Sequence, residues 1–128
     1  MRKPVELRVS RADRTLTVSF DDGERFVLPA EYLRVESPSA EVQGHAPGQK
    51  VLVWGKAEVG ILKVEPVGNY AVRIVFDDLH DSGIYSWDYL HQLGRERVAR
   101  WSRYLAELEA AGKSRHPRRV VRASDTSV

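Results

Sequence analysis

The segment DDLHDSGIYSW, residues 77 to 87, concentrates more side chains capable of chemistry than any other part of the chain. Its acidic and imidazole groups are Asp77, Asp78, Asp81 and His80. Histidine and carboxylates close together can bind a divalent metal ion, with His45 or His91 as a further ligand. The alternative is a polar turn, because aspartates in turns often accept hydrogen bonds from backbone N–H groups. The spacing favours the turn and keeps the metal site as a second hypothesis.

Motifs of common catalytic sites are absent from the sequence. The chain has no G-x-S-x-G, no H-E-x-x-H and no phosphate-binding glycine loop. Ser82, His80 and Asp78 are the residue types of a hydrolytic triad, but closeness in sequence does not align a nucleophile with its base. The absence of cysteine excludes disulfides, thiolate metal ligands and cysteine nucleophiles. We therefore predict a protein that is not an enzyme.

Length and composition predict one domain, residues 4–112, followed by a basic tail, residues 113–128. The chain has 128 residues and is 42% hydrophobic, which suits a single core. No run approaches the roughly 20 apolar residues that cross a bilayer, so we expect a cytoplasmic protein without a membrane partner. The tail contains five basic residues and one acidic residue. It is predicted to be disordered, and nucleic-acid binding through it is the less favoured interpretation.

Alternation of apolar and polar residues predicts β-strands along much of the chain. The clearest are VELRVS (5–10), RTLTVSF (14–20), GILKVEPV (60–67) and YAVRIVF (70–76). Asp22 and Gly23 predict a hairpin turn, so that RFVLP returns beside its neighbour and completes a three-stranded meander. Alternation also appears in VLVW (51–54). The stretch 37–50 is rich in Ser, Pro and Gly and predicts a long surface loop.

The C-terminal part of the domain predicts a helix that packs on the sheet. Ser86 is a good N-cap and Asp88 suits the first turn, so the helix should begin at Trp87. Its apolar stripe consists of Leu90, Leu93, Val98, Trp101, Leu105 and Leu108. Gly94 weakens the middle and predicts a division nearby, while Gly112 predicts the end. The order of elements indicates an α+β fold with an antiparallel sheet of about five to six strands and one C-terminal helix.

Several segments together resemble a known family. They are the N-terminal strands, LRVESPSAEV (33–42) and VGNYAVRIVFDDLHDSGIYSWDYL (67–90). Residues 4–112 are similar to the DUF971 domain, also called the gamma-butyrobetaine hydroxylase-like N-terminal domain. The most specific pattern is close to G-x-Y-A-x-x-I-x-(F/W)-x-D-G-H-x-S-G-I-Y-(S/T)-W, in which Leu79 replaces a glycine. If that glycine serves a positive-φ turn, Leu79 predicts strain or a different local backbone.

The resemblance implies a structural zinc site that this chain does not retain. Relatives hold zinc through C-x-C-x-x-C and the histidine of D-G-H. These positions fall on Ser37, Ser39, Val42 and His80. Serine hydroxyls are poor zinc ligands and valine offers none, so we expect no zinc and no other cofactor. We predict instead that His80 forms hydrogen bonds to the 37–42 loop.

The resemblance also implies an accessory role. In the hydroxylases this domain precedes a catalytic 2-oxoglutarate and iron domain, and the family also occurs alone in bacteria or attached to P-loop iron–sulfur cluster carriers. This chain resembles the stand-alone form. The resemblance therefore implies a non-enzymatic interaction module connected with iron–sulfur or redox metabolism, whose partner is an unknown protein such as an iron–sulfur cluster carrier or an oxidoreductase. The alternative is a metal-binding protein that uses His80 with nearby aspartates or His45.

The predicted binding surface combines the 37–50 loop and the 77–89 turn. Its residues are Arg34, Ser37, Ser39, Glu41, His45, Asp78, His80, Asp81, Tyr85 and Tyr89. Tyr85 and Tyr89 are expected to be exposed, whereas Trp87 and Trp101 are expected in the core because an amphipathic helix buries its large aromatics against a sheet.

Overall fold

The computed structural model describes residues 2–46 and 48–117. The strands are β1 (Pro4–Ser10), β2 (Thr15–Phe20), β3 (Arg25–Pro29), β4 (Ile61–Val67), β5 (Ala71–Phe76) and β6 (Ile84–Ser86). The helices are α1 (Ala30–Val35), α2 (Ala40–Gln43), α3 (Trp87–Arg95) and α4 (Arg97–Ala111). The α+β class is confirmed. Within these residues, no helix combines the length and apolar character needed to cross a membrane.

The strands form two antiparallel sheets of three, in the orders β1-β2-β3 and β4-β5-β6. The number of strands agrees with the prediction, but they do not form a single sheet. The N-terminal meander is confirmed, with Gly23 at φ 89° in the turn between β2 and β3. The segment 51–54 is not a strand, because it lies against α4, where the Tyr104 hydroxyl donates to the Val53 carbonyl at 2.7 Å.

The main core is formed by buried side chains from both sheets and from α3. The strands contribute alternate side chains that are at most 3% exposed, among them Leu16, Val18 and Phe20 of β2 and Ile74 and Phe76 of β5. Leu90 and Leu93 contribute from α3 and are fully buried. Every second residue of these strands and residues three apart on α3 therefore face the same core, as expected for an α+β fold.

The C-terminal helix begins as predicted and is divided close to the predicted place. The Ser86 side chain accepts a hydrogen bond from the backbone N–H of Tyr89, which caps α3. The division falls at Glu96, which ends α3 and precedes α4. Gly94 itself is helical, and a Cβ there would lie 2.4 Å from Cγ of Phe26. The glycine therefore lets α3 approach β3 closely, besides weakening the helix near its end.

The segment after Gly112 departs from the predicted boundary. Gly55 donates its N–H to the Ser114 carbonyl at 2.9 Å, and Ala57 donates to the Arg115 carbonyl at 2.8 Å. The Arg115 guanidinium also donates two hydrogen bonds to the carboxylate of Glu31, a side chain that is 7% exposed. The folded part therefore continues at least to residue 117. The rest of the predicted tail, residues 118–128, lies outside the described residues.

Candidate functional site

His80 joins two segments that are distant in sequence. Its Nε2 lies 2.9 Å from the Ser37 hydroxyl, and its Nδ1 lies 3.0 Å from a carboxylate oxygen of Glu41. The residue is 5% exposed, so both ring nitrogens have partners where water has little access. The predicted contact between His80 and the 37–42 segment is present.

Two serines and a glutamine extend this cluster. The hydroxyls of Ser39 and Ser82 lie 2.6 Å apart, and the Gln43 side chain donates to the Ser37 carbonyl at 2.8 Å. Ser39 also caps α2 by accepting the N–H of Glu41. The predicted loop 37–50 therefore contains a short helix that is fastened to the 80–82 turn. We call Ser37, Ser39, Glu41, His80 and Ser82 the polar clamp.

The order serine, histidine, glutamate within the clamp is that of a hydrolytic triad, with the hydroxyl on Nε2 and the carboxylate on Nδ1. Ser37, however, is fully buried. The Gly83 backbone approaches so closely that a Cβ added there would lie 2.6 Å from the Ser37 hydroxyl oxygen, which leaves little space beside that oxygen. A substrate carbonyl needs to reach that oxygen. The triad considered from the sequence, with Ser82 and Asp78, does not form, because these residues contact Ser39, Arg34 and Lys56.

Asp78 anchors the same turn by charge. One carboxylate oxygen accepts from Arg34 Nε at 2.8 Å and lies 2.7 Å from Lys56 Nζ, and the other accepts the His80 backbone N–H at 3.1 Å. Burial alone would raise the pKa of Asp78, but the hydrogen bonds from Lys56 and Arg34 outweigh it and lower the pKa to about 2. Asp78 is therefore charged at neutral pH.

Burial lowers the pKa of His80, since it disfavours the charged imidazolium, and the positive charge of Arg34 acts in the same direction. The Glu41 carboxylate opposes both effects. At neutral pH the imidazole is therefore neutral. It then has one donor and one acceptor nitrogen, which suits a carboxylate on one side and a hydroxyl on the other.

Leu79 lies between these two fixed residues and faces solvent. Its φ is 73° and it is 82% exposed. The turn is closed by hydrogen bonds from Leu79 N to the Phe76 carbonyl and from Phe76 N to the His80 carbonyl. The backbone thus keeps the positive φ that suits the glycine of the family pattern, and the leucine is strained, one of the two outcomes predicted.

Most residues of the predicted binding surface are buried or partly buried. Of its ten residues, Glu41, His45 and Asp81 are exposed, Arg34, Asp78 and Tyr89 are partly buried, and Ser37, Ser39, His80 and Tyr85 are buried. The expectation of an exposed Tyr85 is wrong, because its ring belongs to the core and its hydroxyl donates to the Leu33 carbonyl. Sequence reasoning missed Leu79 as a surface group, although the leucine in a glycine position was the available signal.

The family zinc does not fit the residues present. The hydroxyls of Ser37 and Ser39 are used within the clamp, and Val42 offers only a buried hydrocarbon side chain. His80 also belongs to no group of three metal-ligand side chains in the described ranges. The one such group found there is Asp22, Glu24 and His91.

Ion pairs account for the contacts of that second group. His91 Nε2 lies 3.2 Å from Glu24, which also pairs with Arg95. The Asp22 carboxylate pairs with Arg2. Each carboxylate thus already has a cationic partner, so these contacts alone do not indicate a bound metal ion.

Comparisons with known proteins agree with the fold. The family model described as "Gamma-butyrobetaine hydroxylase-like, N-terminal" matches residues 7–91. A protein solved by NMR in solution is 50% identical to this chain and covers 94% of it and 95% of its own length, with a TM-score of 0.81. A crystal structure of a DUF971-family protein of unknown function from Acidithiobacillus ferrooxidans ATCC 23270 is 38% identical and covers 72% of this chain and 92% of its own, with a TM-score of 0.60. None of the curated proteins matches the chain.

Proposed function

This chain belongs to the gamma-butyrobetaine hydroxylase-like, N-terminal family, and we propose that it is a non-enzymatic module that binds another protein through the turn centred on Leu79. The observation that carries this proposal is the combination of strain and exposure at Leu79. A leucine in the left-handed region costs about 1 kcal/mol, and in the described part of the chain its side chain is 82% exposed and recovers little of that cost. A binding partner that covers the side chain would recover it.

Rigidity on both sides of Leu79 supports the same proposal. Asp78 is held by Arg34 and Lys56, and His80 is held by Ser37 and Glu41. A side chain presented on a fixed backbone loses less conformational entropy on binding than one on a mobile loop. The polar clamp thus has a use without catalysis, because it fixes the position of a contact residue.

The proposed class of partner rests on the resemblance stated for the sequence. That resemblance implies domains attached to iron–sulfur cluster carriers, which supports such a carrier or an oxidoreductase as the partner we propose, in the cytoplasm. The buried serine and the engaged carboxylates support a role without turnover, since no side chain of the clamp combines an activated nucleophile with room for a substrate.

Comparison of three forms of the chain tests this function. Immobilised unaltered protein, Leu79→Gly and Val98→Ser are exposed to lysate of the source cells with a chemical crosslinker, and retained proteins are identified by mass spectrometry. Val98 is the matched control, because it is 84% exposed and lies on α4. We expect a protein that is retained by the unaltered chain and Val98→Ser but lost with Leu79→Gly. The same retention by all three forms, or a turnover activity that depends on Ser37, would overturn the proposal.

A further inference from the structure

A groove beside α4 combines apolar side chains with two arginines. Its volume is about 490 Å³, within the range of small-molecule sites, roughly 300–1,000 Å³. Residues of α1, of α4 and of the segment after Gly112 line it, among them Glu31, Tyr32, Arg97, Trp101, Leu105 and Arg115. We call it the α4 groove. It includes no residue of the polar clamp or of the Leu79 turn.

A buried carboxylate fixes Arg115 in this groove. The Glu31 side chain is 7% exposed and accepts hydrogen bonds from Arg115 Nε at 2.9 Å and from Nη2 at 2.7 Å. The guanidinium also lies 5.2 Å from the ring centroid of Trp101. Its Nη1 has no acceptor among the residues that the structure describes. Because Arg115 is already held in place, this nitrogen can donate to a ligand oxygen with little further loss of side-chain entropy.

Arg97 brings a second positive charge to the groove. Its Nη1 donates to the Val27 carbonyl at 2.8 Å, which orients the side chain. Within residues 2–46 and 48–117, Arg97 forms no ion pair, whereas Arg115 is paired with Glu31. The groove therefore has two guanidinium groups against one carboxylate. This excess of a single positive charge is complementary to a ligand with one negative charge.

The rest of the groove is largely apolar. The Tyr32 ring is buried and meets Trp101 edge to face, with the ring centroids 6.3 Å apart, so the indole has a fixed position. Trp101 itself is partly exposed, and Leu105, about one turn further along α4, is 41% exposed. Apolar surface of this kind gains free energy when a ligand removes it from water.

We propose that the α4 groove binds a small organic acid with one carboxylate and an apolar body. The carboxylate accepts from Arg115, with Arg97 as the second cation, and the apolar body lies against Trp101 and Leu105. An uncharged molecule of the same shape leaves the excess positive charge uncompensated and binds more weakly. The site does not depend on the proposed function, because Leu79 lies outside it.

Titration of the full-length, ¹⁵N-labelled chain with 2-naphthoate tests the site. The protein has three tryptophans, whose indole N–H signals are resolved by NMR. We expect a saturable shift of the Trp101 signal and of the Leu105 amide. Trp87 is the internal reference, because its indole N–H donates to the Asn69 carbonyl away from the groove. The neutral 2-naphthamide should bind at least about tenfold more weakly.

Two pairs of variants on α4 locate the binding. Arg97→Gln should weaken 2-naphthoate binding at least about fivefold, whereas Arg103→Gln removes the same charge from an exposed side chain outside the groove and should not. Leu105→Glu should abolish binding by placing a negative charge against the ligand. Ala106→Glu adds that charge at the neighbouring exposed position, which does not line the groove, and should bind normally.

Three results would each overturn the proposal: no saturable shift of the Trp101 signal, equal affinities for 2-naphthoate and 2-naphthamide, or equal losses in Arg97→Gln and Arg103→Gln. Leu79→Gly should bind 2-naphthoate as the unaltered chain does. A failure of the proposed function in that variant therefore leaves the test of the groove unaffected.

Discussion

At the scale of single residues, Leu79 and His80 are neighbours with opposite surroundings. Leu79 is 82% exposed and strained, whereas His80 is 5% exposed and has partners on both ring nitrogens. The sequence indicated both features, because a leucine in a glycine position and a histidine without its cysteine partners depart from the family pattern. What it could not indicate was that Glu41, on a helix of four residues, reaches the second nitrogen of His80.

Replacement of Leu79 by glycine should stabilise the protein. Glycine adopts positive φ without steric cost, so we expect a gain of about 1 kcal/mol in the free energy of unfolding, less the larger entropy of a glycine in the unfolded chain. Urea denaturation measures the change. Arg14→Gly is the matched control, because Arg14 also has positive φ, 55°, and should shift stability in the same direction. A clear loss of stability in Leu79→Gly would show that the leucine packs within the fold.

Removal of a clamp hydroxyl should destabilise the protein. Ser37→Ala leaves a buried nitrogen of His80 without its partner, which costs about 1–3 kcal/mol. Denaturant unfolding checks the value, with His45→Ala as the control, because His45 is exposed and should change stability by less than about 0.5 kcal/mol. Equal effects of the two variants would contradict a structural role for the clamp.

Acidification should weaken the fold through His80. Its pKa is lower in the folded state than in the unfolded chain, where it is about 6.5, so the unfolded state binds more protons below that pH. The free energy of unfolding should therefore fall as the pH drops through about 6.5 and further towards the folded-state pKa. Urea titrations at several pH values should show a smaller decrease for His80→Gln than for the unaltered protein. The same pH dependence in both would reject this contribution.

At the scale of elements, apolar periodicity and helix capping predicted the features that depend on neighbouring residues alone. The strands of the meander and the helix start at Trp87 follow from alternation and from the Ser86 cap. Alternation misled at 51–54, because apolar side chains of that segment pack on Tyr104 rather than in a sheet. The division of the six strands into two sheets could not be predicted from local sequence either, because it depends on which strands pair with each other.

Gly94 provides a test of helix packing. Alanine is a better helix former by about 1 kcal/mol, so propensity alone predicts that Gly94→Ala stabilises α3. The added Cβ would instead lie 2.4 Å from Phe26, and we expect a net loss of about 1–3 kcal/mol from overpacking. Thermal unfolding measures the outcome. Gly94→Ala/Phe26→Leu should recover part of the loss, whereas a stabilised single variant would refute the packing argument.

At the scale of the whole molecule, a family domain keeps its shape with polar contacts where the resemblance implies zinc. The clamp joins the 37–43 segment to the 80–82 turn, and the C-terminal segment to residue 117 adds a second attachment beside the same turn. From the ligand positions alone the sequence predicts that zinc is not bound, and the contacts of Ser37 and Ser39 within the clamp are consistent with that prediction. The sequence could not predict the attachment of residues 113–117, because the partner of Arg115 is Glu31, 84 residues earlier in the chain.

The affinity of the retained partner for Leu79→Gly tests the central claim most directly. Titration calorimetry would compare the unaltered chain, Leu79→Gly and Val98→Ser at the same salt concentration. We predict that Leu79→Gly weakens binding at least about tenfold, or about 1.4 kcal/mol, although it stabilises the fold, while Val98→Ser binds as the unaltered chain does. Unchanged affinity of Leu79→Gly would contradict the claim that the strained, exposed leucine is the contact through which this domain works.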